Sequence, residues 1–125
     1  MNVVDSSGWL EYFADTARAE FFAAAIEDTE HLLVPVVCLY EVFKKIYQTQ
    51  GQPLAEIHVA DMLKGKIIEI STPIALNAAL ISAKHRLPMA DSLILAAARE
   101  HHAILWTQDE HFEGLEDVQF FPKES

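Results

Sequence analysis

Residues 87–109 read LPMADSLILAAAREHHAILWTQD, and this stretch predicts a buried helix followed directly by a buried strand. The helix, Met89–His101, begins after Pro88 and is apolar on almost every side, which is typical of a helix enclosed by other elements. The strand, Ala103–Thr107, is short and apolar, as expected for a strand that is covered on both faces. Such strands belong to parallel sheets, so the stretch predicts an α/β fold.

The same alternation of short apolar runs and helical patterns continues through the rest of the chain. Further strands are predicted at Asn2–Val4, Leu32–Val34, Lys66–Ile70 and Val118–Phe121. Further helices are predicted at Gly8–Phe13, Arg18–Glu27, Val36–Gln50, Leu54–Leu63 and Pro73–Lys84, the last with Thr72 as its N-cap. The pattern predicts a mainly parallel five-stranded sheet flanked by helices, in a single domain over residues 1–125.

Composition narrows the classes of protein to which the chain can belong. With 51% hydrophobic residues among 125, the chain can bury a core, which excludes a disordered protein. No apolar run reaches the roughly 18 residues of a membrane span, and no signal peptide is evident, so we expect a cytoplasmic protein without membrane contact. Cys38 is the only cysteine, which excludes an intrachain disulfide. The net charge of −10 argues against a general nucleic-acid coat, although not against a nuclease.

Four acidic residues lie at predicted junctions between strands and helices or on helices: Asp5, Glu41, Asp91 and Asp109. Asp5 and Asp109 each follow a strand, and sites in parallel sheets collect beyond the carboxyl ends of the strands. We therefore expect these two carboxylates to share one pole of the sheet. If all four meet, they form an oxygen-rich site suited to Mg²⁺ or Mn²⁺.

Each of these acids also has an ordinary structural explanation. Asp5 could cap the first helix, and Asp109 could be a turn residue. Glu41 lies away from the apolar stripe of its helix on a helical wheel, and it could pair with Lys44 or Lys45 on the surface. Taken singly, these explanations are favoured for the three residues.

Asp91 is less easily explained in this way. It could interact with the dipole of its helix, but a carboxylate at the edge of a buried helix needs a partner, and a metal ion is one candidate. A zinc site is disfavoured, because His101, His102 and His111 with Cys38 match no common zinc framework.

Taken together, the motifs resemble those of PIN-domain nucleases, and specifically of VapC-type toxins. The matching stretches follow the family's order across almost the whole chain: residues 4–7, 40–42, 87–98 and 105–112. The resemblance implies a PIN-like three-layer fold and a Mg²⁺- or Mn²⁺-dependent endoribonuclease that hydrolyses phosphodiester bonds in RNA. It also implies a homodimer that is inhibited by a small antitoxin protein, whose tail lies in a groove beside the active site.

The resemblance implies roles for individual residues. The family's catalytic and metal-binding acids correspond to Asp5, Glu41, Asp91 and Asp109, and its supporting hydroxyls to Ser6 and Thr107. Asp5 and Asp91 are the expected direct ligands, Glu41 is expected to bind through water, and Asp109 is expected to hold a second ion.

Other positions are more open. Many family members carry a further acid two residues after the last Asp, but here that position is His111, and Glu110 or Glu113 could substitute. The candidate phosphate contacts are Lys44, Lys45, Lys84, Arg86 and Arg99.

Two alternatives belong to other functional classes. The chain could be a catalytically inactive PIN module that acts by binding a partner, although the presence of all four acids argues against this. It could instead be a phosphoacceptor receiver domain, which is also small, acidic and dependent on Mg²⁺. That class needs a paired acid after the first strand and a lysine near the last, whereas Asp5 is followed by Ser6 and Lys123 comes too late.

Overall fold

The structure is a computed structural model that describes residues 1–123. Its strands are β1 (Asn2–Val4), β2 (Leu32–Pro35), β3 (Lys66–Ile68), β4 (Ile104–Thr107) and β5 (Val118–Phe120). Its α-helices are α1 (Ser6–Phe13), α2 (Ala19–Ile26), α3 (Val36–Gln50), α4 (Gln52–Met62), α5 (Thr72–His85) and α6 (Met89–Glu100), with short 3₁₀ turns at Thr29–His31 and Glu110–Phe112. All the predicted elements are present, and the predicted α/β class is confirmed.

Several predicted boundaries were wrong by one or two residues. Ser71, and not Thr72, caps α5, because the Ser71 hydroxyl accepts a hydrogen bond from the Ile74 amide at 3.3 Å. The third strand ends at Ile68 and not at Ile70. The first helix begins two residues earlier than Gly8, because Asp5 supplies its N-cap. Likewise α4 begins directly after Gly51, whose φ of 92° lets the chain turn sharply out of α3.

The sheet is wholly parallel within the described residues, in the order β3-β2-β1-β4-β5. From β1 the chain first builds outward through β2 and β3, then crosses to the other side of β1 for β4 and β5. The direction of building therefore reverses between β1 and β4, and such reversals open a crevice at the carboxyl ends of the strands. Receiver domains have the order 2-1-3-4-5, so the receiver alternative was wrong.

The core lies on both faces of this sheet. All four residues of β2 are buried, and so is half of α6, including Ile94 and Leu95. Gly8 lets α1 approach closely, because a β-carbon there would lie 2.7 Å from a Val4 methyl and 2.8 Å from the Phe22 ring. That close approach fixes the start of α1 against the end of β1, where Asp5 lies.

Candidate metal and catalytic site

Asp5 is held in the crevice between the ends of β1 and β4. The strand register pairs Val4 with Trp106, which sets Asp5 beside Thr107. One carboxylate oxygen of Asp5 accepts the Gly8 amide at 2.9 Å and thereby caps α1, while the other accepts the Thr107 hydroxyl at 2.5 Å. Asp5 can therefore cap α1 and also belong to the site, because its two carboxylate oxygens face different partners.

Glu41 reaches the same crevice from α3. Its carboxylate accepts a hydrogen bond from the Ser6 hydroxyl at 2.6 Å, which connects α3 to the first turn of α1. Within residues 1–123 no ion pair links Glu41 to Lys44 or Lys45, so the alternative explanation of a surface ion pair finds no support. The apolar stripe predicted for α3, which comprised Val36, Leu39, Tyr40, Phe43 and Ile46, was wrong in part, because Tyr40 is 65% exposed and the buried face includes Cys38.

The third part of the site joins α6 to the turn after β4. Asp91 lies in the first turn of α6, and Asp109 caps the 3₁₀ turn by accepting the His111 amide at 2.9 Å. The His111 Nδ1 atom lies 3.4 Å from an Asp91 oxygen and 3.2 Å from an Asp109 oxygen. One ligand atom from each of these three residues lies within 4.8 Å of the others.

Thr107 connects Asp5 to Asp109. Its hydroxyl oxygen accepts a hydrogen bond from the Asp109 backbone amide at 3.0 Å, and the hydroxyl donates a hydrogen bond to the Asp5 carboxylate. Since Thr107 is fully buried, both of its hydrogen bonds are protected from water. The position of Asp109 relative to Asp5 is therefore set by one buried side chain.

Burial and neighbouring negative charge destabilise the ionised forms of Asp5 and Asp91. Burial raises the pKa of Asp5 to about 6, against the hydrogen bonds from Thr107, Gly8 and Ser7 that lower it, and the charge of Asp109 adds to the increase. The pKa of Asp91 is also raised, first by burial and then by the charges of Asp109 and Glu41. A divalent cation would offset this repulsion.

The donor set fits a hard divalent cation such as Mg²⁺ or Mn²⁺. Carboxylate oxygens predominate, and each oxygen of a hydrogen-bonded carboxylate keeps lone-pair capacity for a further partner. Asp91, Asp109 and His111 could hold one ion at the mouth of the crevice, and the buried Asp5 lies deeper. The imidazole is compatible with Mn²⁺ in particular, because nitrogen ligands suit the later divalent metals better than Mg²⁺.

The sequence left open whether His111 belongs to the site, and it did not predict that Cys38 would be buried close to the acids. Glu110 and Glu113 are exposed, whereas His111 contacts the cluster. Cys38 lies on the same face of α3 as Glu41, three residues earlier, and its thiol donates to the Val4 carbonyl at 3.6 Å. Burial, together with the nearby carboxylates, raises the pKa of the thiol, so Cys38 is a neutral packing residue. The sequence signal that could have placed Cys38 beside Glu41 is their spacing of three residues on one helix.

The predicted phosphate contacts are more dispersed. Lys44, Lys45, Lys84 and Arg86 are exposed side chains, and Arg86 ends α5 with a left-handed backbone. Arg99 lies in the last turn of α6, at the opposite end from Asp91, where it donates to the Glu116 carbonyl at 3.2 Å. Arg99 is thus engaged away from the acids.

Comparison with known proteins agrees with this architecture. The family model described as "PIN domain" matches residues 3–118. Among proteins with curated functions, none matches the chain significantly. Within residues 1–123, the helices are too short or too polar to cross a membrane.

Solved structures with similar folds include several toxin–antitoxin proteins. A toxin–antitoxin complex from Klebsiella pneumoniae has a TM-score of 0.79 at 19% identity, covering 98% of this chain and 100% of that one. DNA-bound VapBC from Salmonella typhimurium has a TM-score of 0.75 at 12% identity, with 97% and 96% covered. VapC20 from Mycobacterium tuberculosis, described as a sarcin–ricin loop cleaving toxin, has a TM-score of 0.72 at 16% identity, with 94% and 98% covered. At these identities the likeness establishes the fold.

Proposed function

The chain belongs to the PIN-domain family, and we propose that it is a metal-dependent endoribonuclease that acts as the toxin of a toxin–antitoxin pair. The observation that carries the proposal is the convergence of Asp5, Glu41, Asp91 and Asp109 on the crevice where the sheet reverses its direction of building. Four carboxylates at one pole repel one another, so their arrangement is costly unless a cation is bound.

The proposed chemistry is hydrolysis of a phosphodiester bond. Mg²⁺ or Mn²⁺, when bound, lowers the pKa of an attacking water and neutralises charge on the phosphate. Asp91 and Asp109 would hold the ion at the mouth of the crevice, and Asp5 would complete the set from below. Thr107 keeps the Asp5 carboxylate oriented, and Ser6 does the same for Glu41.

RNA is the proposed substrate, and a small antitoxin the proposed partner. The similar fold of VapC20, a sarcin–ricin loop cleaving toxin, supports RNA, and the similar folds in VapBC complexes support a bound antitoxin. A basic segment in that antitoxin would be attracted by the net charge of −10. We further propose that residues 1–125 form one domain, that the protein acts in the cytoplasm, and that it forms a homodimer, which sedimentation analysis would test.

Cleavage of RNA by the purified protein tests the activity. Asp91→Asn keeps the shape of the side chain but removes a charge that the cation needs, so cleavage in Mn²⁺ should be abolished while the melting temperature is retained. Cleavage that persists in the variant, or in excess EDTA, would refute the assignment. Asp61→Asn, the same change at an exposed acid on α4 outside the cluster, is the matched control and should cleave as the wild type does.

Growth on induced expression tests the biological role. The wild type should arrest growth, and Asp91→Asn should not. Equal effects of the two proteins on growth would favour the alternative of an inactive module that acts by binding a partner. Sequencing the ends of RNA after induction would identify the target.

A further inference from the structure

A second feature of the carboxyl pole is a pocket of about 420 Å³ that the acidic cluster does not use. It is lined by Glu11, Ala17, Arg18, Gln108, Phe121 and Lys123. Gln108 immediately precedes Asp109, and the Phe121 amide donates to the Thr107 carbonyl at 2.8 Å. The floor of the pocket is therefore continuous with the end of β4 that carries Thr107 and Asp109.

Arg18 is fixed in this pocket through several hydrogen bonds. Its Nε donates to the side-chain oxygen of Gln108, which is 4% exposed. One of its terminal nitrogens donates to the carbonyls of Phe121 at 2.8 Å and Pro122 at 3.1 Å. The guanidinium plane is thus held in one orientation before any ligand arrives.

The guanidinium is also the last member of a stack of planar groups. Phe21 lies 5.2 Å from Trp106 and stacks on Phe121 at 4.3 Å with an interplanar angle of 13°. The Arg18 Cζ lies over the Phe121 ring, 4.1 Å from its centre. Arg18 and Phe121 are therefore in contact where both border the pocket.

The free side of this stack has the chemistry of a nucleobase site. Unpaired bases of RNA stack on arginine planes as well as on aromatic rings, and the charge of a lysine nearby suits a phosphate. Lys123 supplies that charge, and Glu11, which accepts the Thr16 hydroxyl at 3.0 Å, supplies an acidic edge. Two cations and one acid make a poor site for a bare anion but a suitable one for a base that carries a phosphate.

We propose that this pocket binds one nucleotide of a single-stranded RNA next to the bond that is cleaved, with the base on Arg18 and the phosphate near Lys123. The inference rests on the proposed function for its biological meaning, because it assigns a position to part of the same substrate. It is measurable without cleavage, since the pocket contains none of the four acids.

Small ligands test the pocket directly. The wild-type protein, ¹⁵N-labelled and kept in EDTA so that no divalent ion recruits phosphate to the acids, is titrated with AMP and separately with ribose 5-phosphate, which lacks the base. AMP should shift the NMR signals of the Arg18 Nε–H and the Gln108 side-chain amide. Ribose 5-phosphate should bind about tenfold more weakly, as expected for the loss of one stacked base.

Arg18→Lys is the matched variant, because it keeps the positive charge but removes the planar face. In this variant AMP and ribose 5-phosphate should bind equally. Equal affinities in the wild type, or AMP shifts confined to other parts of the molecule, would overturn the nucleotide site. The wild-type comparison stands even if the variant does not fold. Nucleotide binding without RNA cleavage would refute the proposed function alone, and cleavage without nucleotide preference would refute the pocket alone.

Discussion

Asp5→Asn should stabilise the metal-free protein at neutral pH, because burial makes the ionised form of Asp5 costly. The pKa of Asp5 is raised from 3.8 to about 6 in the fold. Since a pKa unit corresponds to about 1.4 kcal/mol, the ionised carboxylate reduces the free energy of unfolding by about 3 kcal/mol at pH values above 6. Asparagine is an equally good N-cap, so the hydrogen bond from Gly8 is retained. Its amide nitrogen cannot accept the Thr107 hydroxyl, so the net stabilisation should be smaller than about 3 kcal/mol, while the pH dependence is unaffected.

The sign of the pH dependence follows from proton binding. Between the unfolded pKa of 3.8 and the folded pKa of about 6, the folded state binds more protons than the unfolded state. The stability of the wild type relative to Asp5→Asn therefore falls as pH rises through this window, and it is constant above it. About 2 kcal/mol of the difference should develop between pH 4.5 and pH 7.5.

Urea unfolding in EDTA at constant ionic strength, repeated across that pH range, measures the difference. Asp61→Asn, which makes the same chemical change at an exposed position on α4, controls for the altered net charge. Added Mn²⁺ should offset most or all of the difference at neutral pH, because the wild type binds the ion and gains about 2.7 kcal/mol at 100 times the dissociation constant. Wild-type and Asp5→Asn stabilities that run parallel from pH 4.5 to 7.5 would refute the reasoning.

Three further changes test other parts of the site and its support. Asp109→Asn removes a repelling charge, so the metal-free variant should melt at or above the wild-type temperature yet gain less from millimolar Mn²⁺; an indifferent response of the wild type to Mn²⁺ would count against the clustered site. Thr107→Val removes a hydrogen bond that lowers the pKa of Asp5, so this pKa should rise above about 6 in a carbon-detected NMR titration. The substitution should also reduce the free energy of unfolding by about 1–3 kcal/mol, because the Asp109 amide loses its partner. An unchanged titration of Asp5 would show that the hydroxyl does not control its pKa. Gly8→Ala places a methyl group against Val4, so denaturant unfolding should show a loss of about 1–3 kcal/mol, and wild-type stability would mean that α1 can move away from β1.

Local sequence patterns were sufficient to predict the order and type of the elements. Strands such as β2 are short, continuous apolar runs, and α6 is apolar nearly all round, so their character is set by residues that are close in the chain. The position of Asp5 after a strand was equally local information, and it sufficed to predict that Asp5 and Asp109 would share a pole of the sheet. The errors in predicting helices and strands were confined to the ends of these elements. One example is the start of α5, where the neighbouring hydroxyls of Ser71 and Thr72 compete to cap the helix.

Which side chains complete the site depends on contacts between elements that are distant in the chain. The strand order sets β4 beside β1, and this pairing brings Thr107 within hydrogen-bonding distance of Asp5 across 102 positions of sequence. The hydrogen bond from Ser6 to Glu41 and the contacts of His111 depend in the same way on how helices pack. No sequence pattern identified Arg18 as a candidate residue, because its partners Gln108 and Phe121 lie about a hundred residues away in the chain. They contact Arg18 only because β4 and β5 end beside it. Side-chain periodicity reports which face of an element is buried, but it carries no information about which distant element covers that face.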